Sequence, residues 1–168
     1  WTLREMVTPG GGLASTLDAD SEGVEGKLYV WTQAEIEALL GGVRAGSFGR
    51  AYDVTPHGNR EAHSILNLPR PLALVAGDLG LAEEDLRERL AEDRAVLLAA
   101  RAERVRPGLD DKVLADWNGL MISALARGHR ALGRSDWLDT ATRAARFVLG
   151  PMRGEAPTAD DLRPGGPD

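Results

Sequence analysis

Four carboxylates, Asp18, Asp20, Glu22 and Glu25, fall within eight residues of one another in a stretch punctuated by glycine. Like charges this close repel unless water, a cation or basic side chains screen them. Two carboxylates held apart on a rigid hairpin are what glycosidic-bond chemistry requires, one as acid and one as base or nucleophile. These four are therefore the candidate catalytic residues. Tyr29 and Trp31 follow at once and offer stacking surfaces for a ring-shaped ligand. Asp-x-Asp-x-Glu-Gly also starts like a calcium loop, yet the twelfth position, which needs a bidentate acid, is Tyr29. A plainer reading stays open: a solvated acidic turn whose glycines supply positive φ.

A second constellation occupies 106–121, Arg-Pro-Gly-Leu-Asp-Asp-Lys-Val-Leu-Ala-Asp-Trp-Asn-Gly-Leu-Met. Asp110 or Asp111 can cap a following helix. That leaves an acid and Lys112 at the helix mouth as polar lining for a pocket. Asn118 shares a helical stripe with Leu114, Met121 and Leu125, so it is expected to be buried and hydrogen-bonded. Gly119 suggests a close helix approach. Asp110, Asp111, Lys112, Trp117 and Asn118, with Tyr29, Trp31 and Asn59, form the candidate substrate-binding set. His57, Glu61 and His63 invite a zinc hypothesis, but their spacing matches no familiar ligand pattern. No metal and no cofactor are expected. His129, on a helix without an acidic or histidine partner near it in sequence, reads as structural.

The elements that must position these groups are mostly helices. Residues 1–6 read as a helical stub stopped by Pro9 and three glycines. Leu13–Leu17 and Lys27–Trp31 read as the two strands of one hairpin around the 18–26 loop. Thr32 and Glu35 form a capping-box pattern ahead of Ile36, Leu39 and Leu40, and Gly41-Gly42 close that helix. Residues 43–70 read as irregular. Ala82–Glu103 is a charged helix with Leu86, Leu90, Leu97 and Leu98 as its apolar seam. Val113–Leu132 carries apolar residues around most of its circumference and is expected to be buried on nearly all sides. Ser135 can cap a final helix through Val148.

Bulk properties narrow the function classes. With 43% apolar and 27% charged residues, the chain has the composition of a globular domain. The net charge of −6 argues against a nucleic-acid partner, since phosphate binding calls for a basic surface. The absence of cysteine removes disulfides, thiolate zinc sites and thiol catalysis from this chain. No apolar run reaches the roughly 18–20 residues that span a bilayer, so no membrane association and a cytoplasmic location are expected. Both ends read as interruptions, and 150–168 as a Pro/Gly/Asp-rich variable insertion or tail.

Three motifs stand in order along the chain: Gly-Gly-x-x-Ser-Thr-Leu-Asp-Ala-Asp-Ser-Glu-Gly-x-Glu-Gly-Lys-x-Tyr-Val-Trp-Thr (11–32), Gly-Asn-x-Glu (58–61) with Ile-Leu-Asn-Leu-Pro (65–69), and the 106–126 run. Together they resemble the spermatogenesis-associated, thioredoxin-domain-containing family. The resemblance implies a fragment, residues 1–149, of an (α/α)6 toroid of the six-hairpin glycosidase or N-acylglucosamine 2-epimerase type, with one inserted β-hairpin. It implies that the partner of this region is the remainder of its own chain, including a thioredoxin-like domain. The family carries no settled reaction, so it assigns no catalytic residue. The combined expectation is a cavity that binds or acts on a carbohydrate-like small molecule, epimerase- or glycosidase-like if catalytic, with the fragment alone inactive. The rival is a non-catalytic helical scaffold for the thioredoxin-like domain.

Overall fold

The computed structural model describes residues 1–153, so the expected tail lies outside the described residues from 154 onward. The protein is mainly helical. In chain order the elements are α1 (Thr2–Glu5), β1 (Thr16–Leu17), β2 (Asp20–Ser21), β3 (Val24–Glu25), α2 (Gln33–Leu40), α3 (Gly42–Tyr52), α4 (Leu72–Leu79), α5 (Glu83–Ala102), β4 (Leu109–Asp110), α6 (Ala115–Leu132) and α7 (Ser135–Leu149). They form two compact units. One comprises Ala19–Gly108, the other Trp1–Asp18 with the chain from Leu109 on.

The 19–108 unit is built on four helices, α2 to α5, around Ile36, Phe48, Val75, Leu86 and Leu90, all essentially inaccessible to solvent. The Thr32–Glu35 capping box forms in both directions and starts α2 where expected. α3 corrects the irregular reading of 43–70. Its glycines 42, 46 and 49 look like punctuation, but Ala45, Phe48, Ala51 and Tyr52 bury one face, and that burial outweighs a propensity cost of about 1 kcal/mol per glycine. α4 likewise forms between Pro71 and the left-handed Gly80. On α5 the buried stripe is Leu86, Leu90, Asp93 and Leu97, whereas Leu98 is 40% exposed.

The expected hairpin is rearranged. β1 pairs antiparallel with β4, not with residues 27–31. The strand pairing between neighbours lies instead inside the predicted loop, where β2 and β3 pair as Asp20↔Glu25 and Ser21↔Val24. Glu22 and Gly23 both have positive φ between them, the conformation that a two-residue hairpin turn requires. Residues 27–31 contribute one bridge, Trp31 to Ser64.

In the other unit α6 and α7 pack as a helical hairpin joined at Gly133. Their close approach is at Gly128, where a Cβ would overlap the Trp137 ring; the space beside Gly119 is open, contrary to expectation. Arg134, not Ser135, is the N-cap of α7, and Leu114 that of α6, neither with a side-chain cap. Asp110 and Asp111 miss the cap because 111–114 intervenes without regular structure before the helix begins. α6 is not wrapped among the described residues. Asn118 and Leu125 are its buried positions, while Trp117 (53%) and Leu120 (73%) are exposed.

Candidate functional site

The site in the 19–108 unit is organised by Arg104, one residue beyond the C-cap of α5. Its Nη1 donates to the carbonyls of Val30 (2.8 Å), Leu28 (3.1 Å) and Lys27 (3.4 Å), and Nη2 donates to Glu35 Oε1 (3.1 Å). Its guanidinium also lies 3.9 Å from the centre of the Trp31 ring. One cation thus holds the non-strand segment 27–31 in place by satisfying carbonyls that no ladder satisfies. The buried Ser21 ties the β2–β3 hairpin to the same corner, donating to Val105 O at 2.6 Å.

Between these segments lies an open cavity of about 400 Å³. Glu22, Lys27, Glu35, His63, Glu103 and Arg104 supply its charged and titratable lining. Lys27 Nζ meets Glu22 Oε2 at 2.7 Å. Burial works to raise the Glu35 carboxyl. Hydrogen bonds from the Thr32 amide and hydroxyl, with the Arg104 and His63 charges, outweigh it and hold the group below the ordinary carboxylate range. Because the folded pKa lies below the unfolded one, the stabilisation is present above the unfolded value and is lost as pH falls through the folded value. Glu35→Gln should therefore unfold with a flatter acid limb than the parent, and Glu35→Ala should cost about 1 kcal/mol at neutral pH. Urea melts across the acid range check both.

The expected site residues divide between the two units. Of the four candidate acids only Glu22 lines the cavity. Glu25 stays exposed and meets Arg60 at 3.6 Å. Asp20 pairs through its backbone with Glu25, and Asp18 belongs to the other unit. Trp31, expected as a stacking surface, is 3% exposed with Arg104 across its ring, so it serves the core. Tyr29 is part-exposed, 5.3 Å from the Arg101 guanidinium. Asn59 staples its own loop, donating to Ile65 O and Asp53 while its Oδ1 accepts from Ile65 N.

In the other unit Asp110 Oδ2 meets Lys112 Nζ at 3.1 Å, Asp111 is exposed, and Trp117 flanks a small pocket of about 190 Å³ with Met121. Asn118 is buried as expected. Its amide donates to Leu13 O and Leu114 O, both at 2.9 Å, and accepts from Leu13 N at 2.8 Å. That saturates it as a structural clamp.

With this geometry in view, comparison with known proteins is informative. The chain is similar to spermatogenesis-associated protein 20. It is 31% identical to the human protein and 32% identical to the rat protein, in each case over 88% of this chain and 22% of the relative. An uncharacterised protein of Caenorhabditis elegans is 28% identical over 87% of this chain and 23% of its own length. The chain thus spans about a fifth of the length of the curated relatives it matches. No family model matches it.

Four residues of the cavity lining, Lys27, Glu35, Glu103 and Arg104, lie outside the candidate set. Arg104 stands at a charged helix end, and nothing local reveals partners 69 to 77 positions away. Glu103 beside it was passed over for the same reason. Among the described residues no helix is long and apolar enough to cross a membrane.

Proposed function

We propose that the cavity beside the β2–β3 hairpin is a binding site for a small polyhydroxylated, carbohydrate-like molecule. One observation carries the reading: three carboxylates (Glu22, Glu35, Glu103) and three basic side chains (Lys27, His63, Arg104) line a single open cavity. Alternating donors and acceptors over a small volume suit a ligand that is itself a dense array of hydroxyls. Its size suits a monosaccharide. Any epimerase- or glycosidase-like turnover belongs, on this reading, to the longer protein, and the uncovered apolar face of α6 is where further helices of an (α/α)6 toroid would pack.

The test is a titration of the 168-residue chain with glucose, glucosamine and glucose 6-phosphate, followed by backbone amide shifts. Saturable shifts confined to 21–35, 63 and 103–105, weakened several-fold by Glu22→Gln, are expected. Silence with all three probes removes the reading.

A second reading has one observation in its favour. Glu22 and Glu25 are each paired with a cation, as a purely structural acidic turn would be. In that case the region is a non-catalytic scaffold for a thioredoxin-like domain with no small-molecule affinity, and deleting 11–32 from a full-length relative would abolish redox function.

A further inference from the structure

Residues 57–65 are folded around the backbone of His63. Glu61 and Ala62 both take positive φ (48° and 64°), and the Arg60↔His63 bridge closes over them as a tight turn with no glycine at either central position. Left-handed backbone at a non-glycine residue costs about 1–2 kcal/mol and persists only where the surroundings enforce it. Here they do. The amides of Asn59 and Arg60 both donate to His63 O at 2.9 Å, and His63 N donates to Arg60 O at 2.8 Å. Gly58, itself at φ 65°, packs so tightly on the His63 backbone that no Cβ fits. Ser64 pairs in both directions with the buried Trp31, which fixes the turn to the core.

One contact orients the ring. Nδ1 lies 3.0 Å from Glu61 O. A carbonyl only accepts, so Nδ1 carries the hydrogen and Nε2 of the neutral ring is a bare lone pair. Nε2 makes no hydrogen bond among the described residues. Lys27 is paired with Glu22 through one contact, and Arg104 is committed to three carbonyls, Glu35 and the Trp31 face. Glu103, also in the lining, makes no ion pair among the described residues. The cavity therefore leaves two unpaired acceptors for a ligand, beside an ammonium with hydrogens to spare.

We propose that His63 Nε2 and the Glu103 carboxylate are the two acceptors by which this cavity selects ligands that carry an ammonium beside hydroxyls over ligands with hydroxyls alone. This rests on the cavity being a ligand site, and it names the class of ligand. A hydroxyl would donate to either group, and an ammonium would add a charge-assisted bond to Glu103.

The experiment compares glucose, glucosamine and glucose 6-phosphate, by NMR titration, on the parent chain and on His63→Phe and His63→Gln. Glucosamine should bind tightest of the three. His63→Phe should weaken glucose by about threefold, the net loss of one hydrogen bond at an exposed ring. His63→Gln, whose amide oxygen reaches a comparable point, should recover most of that.

Long-range nitrogen spectra of the parent supply a check that needs no variant to fold. They should show Nδ1 protonated and Nε2 bare, with Nε2 shifting as glucose is added. A hydrogen on Nε2 in the neutral ring, unchanged glucose affinity in folded His63→Phe, or glucosamine binding no tighter than glucose would each overturn the inference while leaving the cavity reading standing. Binding of none of the three probes would remove both.

Discussion

Replacing Arg44 with alanine is expected to lower the unfolding free energy by about 3 kcal/mol, because it strands a carboxylate inside the 19–108 unit. Asp93 is 2% exposed and sits in the buried stripe of α5 between Leu90 and Leu97. Two nitrogens of Arg44 converge on its Oδ1, Nε at 2.7 Å and Nη2 at 2.5 Å. Glu92 also lies 3.9 Å from Nη2, yet it is three-quarters exposed and adds little. Without the guanidinium, Asp93 faces a low-dielectric interior alone. It must then either take up a proton or open the packing of α3 on α5.

The pair itself is not expected to add much stability over apolar packing. Arg44→Met with Asp93→Leu should restore most of the loss, since leucine at 93 would extend the Leu86, Leu90, Leu97 stripe. Urea unfolding of the two single variants and the double variant gives the comparison. A loss under about 1 kcal/mol for Arg44→Ala would mean that Asp93 reaches water once its partner is gone.

Asp93 also shows where sequence reasoning stops. Its neighbours Glu92 and Arg94 are charged, so it blended into a solvated helix face, although its spacing from Leu86, Leu90 and Leu97 put it on the apolar side. Helix α5 was legible because twenty residues of helical spacing outweigh local ambiguity. The α2 cap was legible because all its hydrogen bonds lie within three residues. α3 was not, because its three glycines resemble turn signals while the evidence for a helix, the burial of Phe48 and Tyr52, is tertiary.

The same division runs through the candidate site. Glu22 stood out as one of four clustered acids, and the cavity does include it. Its companions there, Glu35, Glu103, Arg104 and His63, come from three separate stretches of chain, and a single sequence carries no signal that brings them together. His63 was considered only as a metal ligand. What distinguishes it is a turn with two left-handed non-glycine residues, a conformation composition does not announce. The 27–31 segment failed for a related reason: Tyr29, Val30 and Trp31 have strand propensity, but Arg104 takes the carbonyls that a strand partner would have used.

Asn118→Ala should be the second costly substitution, at about 3 kcal/mol, and here the sequence anticipated burial but not what is held. The amide reads both backbone groups of Leu13, accepting from its N–H and donating to its carbonyl, across 105 positions of sequence. Leu13 is itself 5% exposed, so removing the amide leaves two buried main-chain groups unsatisfied, each worth about 1–3 kcal/mol. Asn118→Asp is no remedy, because a carboxylate would accept from Leu13 N but face the carbonyls of Leu13 and Leu114 without a hydrogen to give. Both variants should therefore fall well below Ser123→Ala, which on the same helix removes only an exposed hydroxyl's bond to Gly119 O. Amide exchange at Leu13 is the direct readout. In Asn118→Ala it should accelerate far more than exchange within α7, and equal acceleration across the unit would show that the amide supports packing in general and not the Leu13 backbone in particular.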